Sequence, residues 1–90
     1  MTTRIDRIRR TLIAALQPTQ IEIDDDSHRH AGHAGAEKGG HYNLRIVSAA
    51  FAGLTPIARH RLIYATLGTM MQTEIHALSI IAKTPEEAAQ

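Results

Sequence analysis

The sequence predicts an α+β domain, a three-stranded mixed sheet covered by helices on one face, in the order helix, strand, strand, helix, strand. Three observations predict it. Apolar residues recur at helical spacing near the N-terminus and again after Pro56. Two short segments alternate apolar and polar residues, as half-buried strands do. A nearly continuous apolar run of strand length, Ile75 to Lys83, follows the second helical pattern. A strand–helix–strand crossover is right-handed, which places the third strand parallel to the second. Three strands need a covering layer, and the two helices supply it.

The first helix runs from Thr3 to Gln17. Thr3 is placed to cap it, and Ile5, Ile8, Leu12 and Leu16 form its apolar stripe. Arg4, Arg7, Arg9 and Arg10 fall on the other faces and read as a solvated surface. Pro18 ends the helix, because proline disfavours helical geometry in the residue before it. Gln20 to Asp26 is a short strand in which Ile21 and Ile23 alternate with Gln20, Glu22 and Asp24.

A histidine- and glycine-rich loop over about 27–40 follows, expected to be flexible and carrying Gly32, Gly35, Gly39 and Gly40. Loops of this length are uncommon in compact domains and often functional. His41 to Ser48 is the second strand, with Tyr42, Leu44 and Ile46 on one face and His41, Asn43 and Arg45 on the other. Phe51-Ala52-Gly53-Leu54 is a turn with an aromatic anchor. Thr55-Pro56 starts the second helix, with threonine as N-cap and proline at the first helical position. Ile57, Ile63, Leu67 and Met70 mark its buried stripe and carry it to about Gln72. The apolarity of Ile75 to Lys83 predicts a third strand buried on both faces or central in the sheet. Thr84-Pro85-Glu86-Glu87 opens a polar helix or tail over about 84–90. Residues 1–90 form a single domain with no internal repeat.

Composition narrows the function. Ninety residues carry a net charge of +1, which points to no particular partner. The absence of cysteine excludes a disulfide framework, a thiol nucleophile and a thiolate cluster built by this chain alone. No apolar run approaches the ~20 residues that cross a bilayer. The N-terminal arginines lead into a folded helix rather than a targeting segment, so the cytoplasm is the expected location.

Six histidines are the candidate chemistry. His28, His30, His33 and His41 lie in or beside the loop, and His76 stands alone in the last strand. Neutral imidazole is a common metal ligand. A site supplied with imidazoles and no thiols needs a partner if it is to be sulfur-rich. His28, His30 and His33 alone offer a second reading, a zinc- or nickel-binding loop. For His76 the residues equally allow a core histidine.

Arg59-His60-Arg61 on the second helix reads either as a helix-surface cluster making local hydrogen bonds or as a positive patch. Such a patch suits a partner's acidic surface, glutathione or DNA phosphates, because the arginine fork matches carboxylate and phosphate. Asp24, Asp25 and Asp26 lack calcium-loop spacing and read as a solvated strand end. Ser27 lacks a nucleophile-elbow pattern, so no covalent catalysis is expected. Met70 and Met71 read as core filler.

Several segments, taken in order, resemble the BolA family. They are Asp26-Ser27-His28-Arg29-His30-Ala31-Gly32-His33, His41-Tyr42, Val47-Ser48 with Phe51-Ala52-Gly53-Leu54, Arg59-His60-Arg61-Leu62-Ile63-Tyr64, Ile75-His76-Ala77-Leu78-Ser79, and Lys83-Thr84-Pro85-Glu86-Glu87. The resemblance runs from Ile5 to Glu87 and rests on order and spacing. It implies a class II K-homology-like fold, in agreement with the element order. The GxxG loop with which nucleic-acid-binding domains of that kind clamp a strand is absent.

The resemblance further implies partnership with a monothiol glutaredoxin and a bridging [2Fe–2S] cluster, with glutathione brought by the glutaredoxin. The matching ligands are His76 and a loop histidine, His30, with His33 its competitor. Iron accepts imidazole beside thiolate, as Rieske-type centres do. His41 is then a structural or outer partner of the ligating ring. The alternative that the resemblance carries is a DNA-binding regulator using the second helix through Arg59 and Arg61. Alone, the chain is expected to be a monomer or weak homodimer.

Overall fold

The computed structural model describes residues 2–26 and 40–90. Its elements are α1 (Arg4–Leu16), β1 (Gln20–Asp25), β2 (Gly40–Val47), a 3₁₀ turn (Ala49–Phe51), α2 (Pro56–Leu67), a one-turn α3 (Met70–Thr73), β3 (Ile75–Lys83) and a one-turn α4 (Pro85–Ala88). The order expected from the sequence is present: α4 is the polar C-terminal helix expected from Thr84-Pro85, and α3 is the far end of the expected second helix, split off as a separate turn.

Local chemistry sets the ends. At α1, the Asp6 amide donates to the Thr3 hydroxyl and the Thr3 amide to the Asp6 carboxylate, a reciprocal cap. That carboxyl is held below its ordinary range, first by the Thr3 backbone amide and then by the Thr3 hydroxyl. Gln17 turns left-handed, at φ 45°, and its amide closes on the Ile13 carbonyl just before Pro18. Thr55 caps α2 through the Ala58 amide, with Pro56 at the first helical position.

The sequence predicts α2 to run unbroken to about Gln72. It stops at Leu67 because Gly68 takes φ 57° and ψ −128°, a conformation open essentially to glycine, and helix resumes only as α3.

The sheet order is β1-β2-β3. β1 pairs antiparallel with β2, Ile23 opposite Leu44, and β3 pairs parallel with β2, Leu44 opposite Ile80. The expectation of a central or doubly buried third strand is thus corrected. β2 is central, and β3 is an edge strand that alternates. Leu78, Ile80 and Ala82 pack against the core, while Ala77, Ser79 and Ile81 are exposed. Its apolar composition hid the alternation, since small and aliphatic residues occupy both faces.

The core lies between the sheet and the helices. Ile8, Leu12 and Leu16 of α1 meet Ile23 of β1, Tyr42, Leu44 and Ile46 of β2, Phe51, and Ile63 and Leu67 of α2. Met70 and Met71 pack against this cluster, as filler should. Ile57, expected in the buried stripe, is 65% exposed. The stripe of α2 runs through Arg59, Ile63 and Leu67 instead, at a spacing of four.

Candidate metal centre

The centre is built where β2 begins and β3 begins beside it. Gly40 pairs with Ile75 but His41 pairs with Ala77, so the register shifts between Gly40 and His41. His76 is the extra residue, and His76 and Ala77 together stand opposite one residue of β2. A bulge of this kind re-aims a side chain. Here it brings the His76 ring beside that of His41, with centroids 4.8 Å apart and ring planes inclined by 51°. His76 is exposed and His41 half-buried.

Two pins hold the approach to His76. The Gly40 amide donates to the Glu74 carbonyl at 3.0 Å. The Glu74 carboxylate accepts from the Arg7 guanidinium, with Arg4 nearby at 3.8 Å. Arg9 pairs with Asp6 at 3.3 Å. Three of the four N-terminal arginines therefore face carboxylates of this chain, in line with a solvated structural surface.

Gly40 is required for a steric reason. A Cβ there would run into the ring of Tyr42. On the other side of His41, the Asp26 amide donates to the His41 carbonyl at 2.7 Å, which closes the base of the β1–β2 connection. The chain therefore leaves and re-enters the sheet beside this pair of rings. Ser27, His28, His30 and His33, and the loop expected around them, lie outside the described residues.

The patch expected on α2 does not survive intact. Arg59 is only 9% exposed. Its guanidinium donates to the Leu54 carbonyl at 3.0 Å, the Ala82 carbonyl at 3.1 Å and the Glu87 carboxylate at 2.6 Å and 3.2 Å. It also lies 6.0 Å from the centroid of the Phe51 ring. Arg59 is a structural tie, with its donors committed within the fold, and it is withdrawn from the partner- or DNA-contact surface. His60, half-buried, and Arg61, exposed, remain near the outside of that helix.

Among the described residues no group of three or more histidine, cysteine or acidic side chains forms a metal cage. His41 and His76 are thus two neighbouring imidazoles, of which His76 is exposed and His41 half-buried. The chemistry the exposed ring offers is ligation of a metal whose remaining positions come from elsewhere. The sequence reading singled out both residues but not their juxtaposition, because the bulge that creates it leaves no mark in side-chain periodicity. The partnership of Arg59 with Glu87, 28 residues on, was likewise not visible.

Comparison with known proteins follows this geometry. A family model described as BolA-like protein matches residues 12–87. The chain is similar to the protein named BOLA1, chloroplastic, of Arabidopsis thaliana, 43% identical over 89 residues that cover 94% of this chain and 56% of the relative. It is also similar to SufE-like protein 1, chloroplastic/mitochondrial, of the same organism, 48% identical over 87 residues that cover 90% of this chain and 24% of the relative. The chain therefore spans little more than half of one of these relatives and about a quarter of the other. The solved structure of BolA1 from Arabidopsis thaliana superposes with a TM-score of 0.85 at 41% identity, covering 97% of each chain.

Proposed function

Because this chain belongs to the BolA-like family, we propose that it is a non-catalytic adaptor that pairs with a monothiol glutaredoxin. The two proteins hold a bridging [2Fe–2S] cluster between them, in iron–sulfur trafficking or iron sensing. The observation that carries this reading is the exposed His76 ring, turned toward His41 by a register shift at the mouth of the β1–β2 connection.

An imidazole at a solvent-exposed rim, with no third metal ligand in reach among the described residues, suits a centre completed by a second molecule. This chain has no thiol to offer. The sulfur comes from the glutaredoxin cysteine and its glutathione. Two histidines on one iron raise the potential of such a cluster above that of an all-thiolate one. The second ligand is assigned to His30 or His33, both carried by the connection that starts and ends beside His41. His41 orients the ligating ring, as the outer partners of metal-bound histidines do.

The exposed Arg61 and the neighbouring His60 are assigned to contact with the glutaredoxin, which leaves the buried Arg59 to the fold. No helix among the described residues is long and apolar enough to cross a membrane. We assign the protein to the cytoplasm; the organellar words in the names of the plant relatives belong to those proteins.

The test is anaerobic co-purification with a monothiol glutaredoxin and glutathione, followed by visible absorption and circular dichroism. Cluster bands are expected only with all three components, and His76→Ala should alter or abolish them. Bands unchanged both in His76→Ala and in the His30→Ala/His33→Ala double variant overturn the ligand assignment. Failure of the two proteins to associate overturns the pairing itself.

A further inference from the structure

We propose that the open edge of β3 binds the same edge of a second copy of this chain, as an antiparallel strand pair centred on Ser79. The direction of the main-chain groups carries this. The Ser48 amide donates to the Lys83 carbonyl at 3.0 Å, so Lys83 turns its peptide groups toward β2. Main-chain groups alternate along a strand, so Ala77, Ser79 and Ile81 turn the same way, and Leu78, Ile80 and Ala82 turn outward. The Arg59 guanidinium, reaching the Ala82 carbonyl from α2 at 3.1 Å, agrees with that direction. No strand lies beyond β3, and the amides and carbonyls of Leu78 and Ile80 find no partner among the described residues.

Natural edges are blunted by shortness, by proline, by a lysine within the strand or by a bulge. β3 has nine residues and no proline, and its one charge, Lys83, stands at its last position. Its register shift lies at its start, before Ala77. Ile81 is 48% exposed on the open face. A groove of about 240 Å³ runs beside the edge, with Pro56 and His60 of α2 on one wall and Ile80 on the other.

The strand complements itself. About an axis at Ser79, Leu78 stands opposite Ile80 of the second copy, and their outward amides and carbonyls exchange hydrogen bonds. Leu78 of the second copy then lies beside Ile80, at the groove under α2. On the open face Ala77 stands opposite Ile81 of the second copy, small against large. Lys83 stands opposite Ile75, so no like charges meet. The contact is isologous and closes at two copies. Such a short pairing covers less than the ~1,200 Å² of a standard interface, so the dimer is weak and exchanges rapidly. The inference is independent of the glutaredoxin reading and is tested without partner or cluster.

The parent chain has no cysteine, so one introduced thiol reports its own neighbour. Two residues on the axis form a non-hydrogen-bonded pair with Cα atoms ~4.5 Å apart, within disulfide reach. Ser79→Cys, oxidised with diamide, is expected to give a covalent dimer about tenfold or more faster than Asn43→Cys, whose thiol lies on the exposed face of the central strand. Ala77→Cys and Ile81→Cys should link to each other in a mixture, and neither to itself. All four positions are exposed, and circular dichroism checks that each variant keeps the parent fold. In the parent itself, the Leu78 and Ile80 amide resonances should shift as concentration rises. Ser79→Lys, which sets two ammonium groups on the axis, should remove that shift. Equal rates for Ser79→Cys and Asn43→Cys, or Ala77→Cys linked to itself, overturn the proposal. So do Leu78 and Ile80 amides that stay fixed at millimolar concentration, or that move only when a single-stranded oligothymidine is added.

Discussion

Arg59 and Glu87 form a two-point ion pair, Nη1 to Oε1 at 2.6 Å and Nη2 to Oε2 at 3.2 Å, that ties the middle of the chain to its C-terminal turn. The same Glu87 carboxylate accepts the Thr84 amide at 2.8 Å, so the cap of α4 and the side chain of α2 share one acceptor. A planar guanidinium that also satisfies the Leu54 and Ala82 carbonyls welds α2, the end of β3 and α4 into one unit.

The Glu87 carboxyl is lowered from its ordinary 4.5 to about 2, chiefly by the Arg59 hydrogen bond and then by the Thr84 amide. Because the folded value lies below the unfolded one, the pair stabilises fully above about pH 4.5 and loses its effect as pH falls toward 2. Thermal melts of the parent and Glu87→Gln should therefore differ at pH 7 and converge between pH 4.5 and 2. Parallel pH curves would remove the ion pair from the stability of the fold.

Arg59→Met leaves two carbonyls and a carboxylate without their donor, and should cost about 1.5–3 kcal/mol. Arg61→Ala, on an exposed position of the same helix, should stay within about 0.5 kcal/mol. Urea unfolding with unchanged slope measures both. Equal effects would contradict the separation of a structural Arg59 from an external Arg61.

Gly40→Ala places a methyl group against the Tyr42 ring at the entry to β2. Overpacking of this sort costs about 1–3 kcal/mol. The contact between the His41 and His76 rings should be disturbed with it, seen as loss of the cross-peak between them in NMR. A variant that is as stable as the parent and keeps the cross-peak would show that Tyr42 yields freely.

Ser48 is fully buried, and its hydroxyl donates to the Leu16 carbonyl at 2.6 Å while accepting the Ala50 amide at 3.1 Å. It ties the end of α1 to the end of β2 and starts the turn that seats Phe51. Ser48→Ala strands a buried carbonyl and should lower stability by about 1–3 kcal/mol in urea unfolding. A loss below about 0.5 kcal/mol would mean that the freed carbonyl finds another donor.

Much of the fold was legible because it depends on short-range patterns. The stripe Ile8, Leu12, Leu16 sits where helical spacing puts it, and Tyr42, Leu44 and Ile46 face the core as strand alternation requires. Thr3 and Thr55 cap the helices they were expected to cap. Where tertiary context decided, the reading slipped. Ile57 was expected inside and Arg59 outside, and the structure exchanges them. Hydropathy favours burying the isoleucine. It carries no record of two carbonyls and a carboxylate waiting 5, 23 and 28 residues away in sequence.

The sequence by itself determined the element order, the parallel return of β3, the single histidine in that strand and the absence of any cysteine. These follow from residue type and period, which are local properties of the chain. Only the tertiary structure decided that β3 is an edge, that Arg59 is a tie, and that His76 meets His41. Each of those depends on strand register and on partners far apart along the backbone, and packing fixes them only once the sheet and helices have closed on one another.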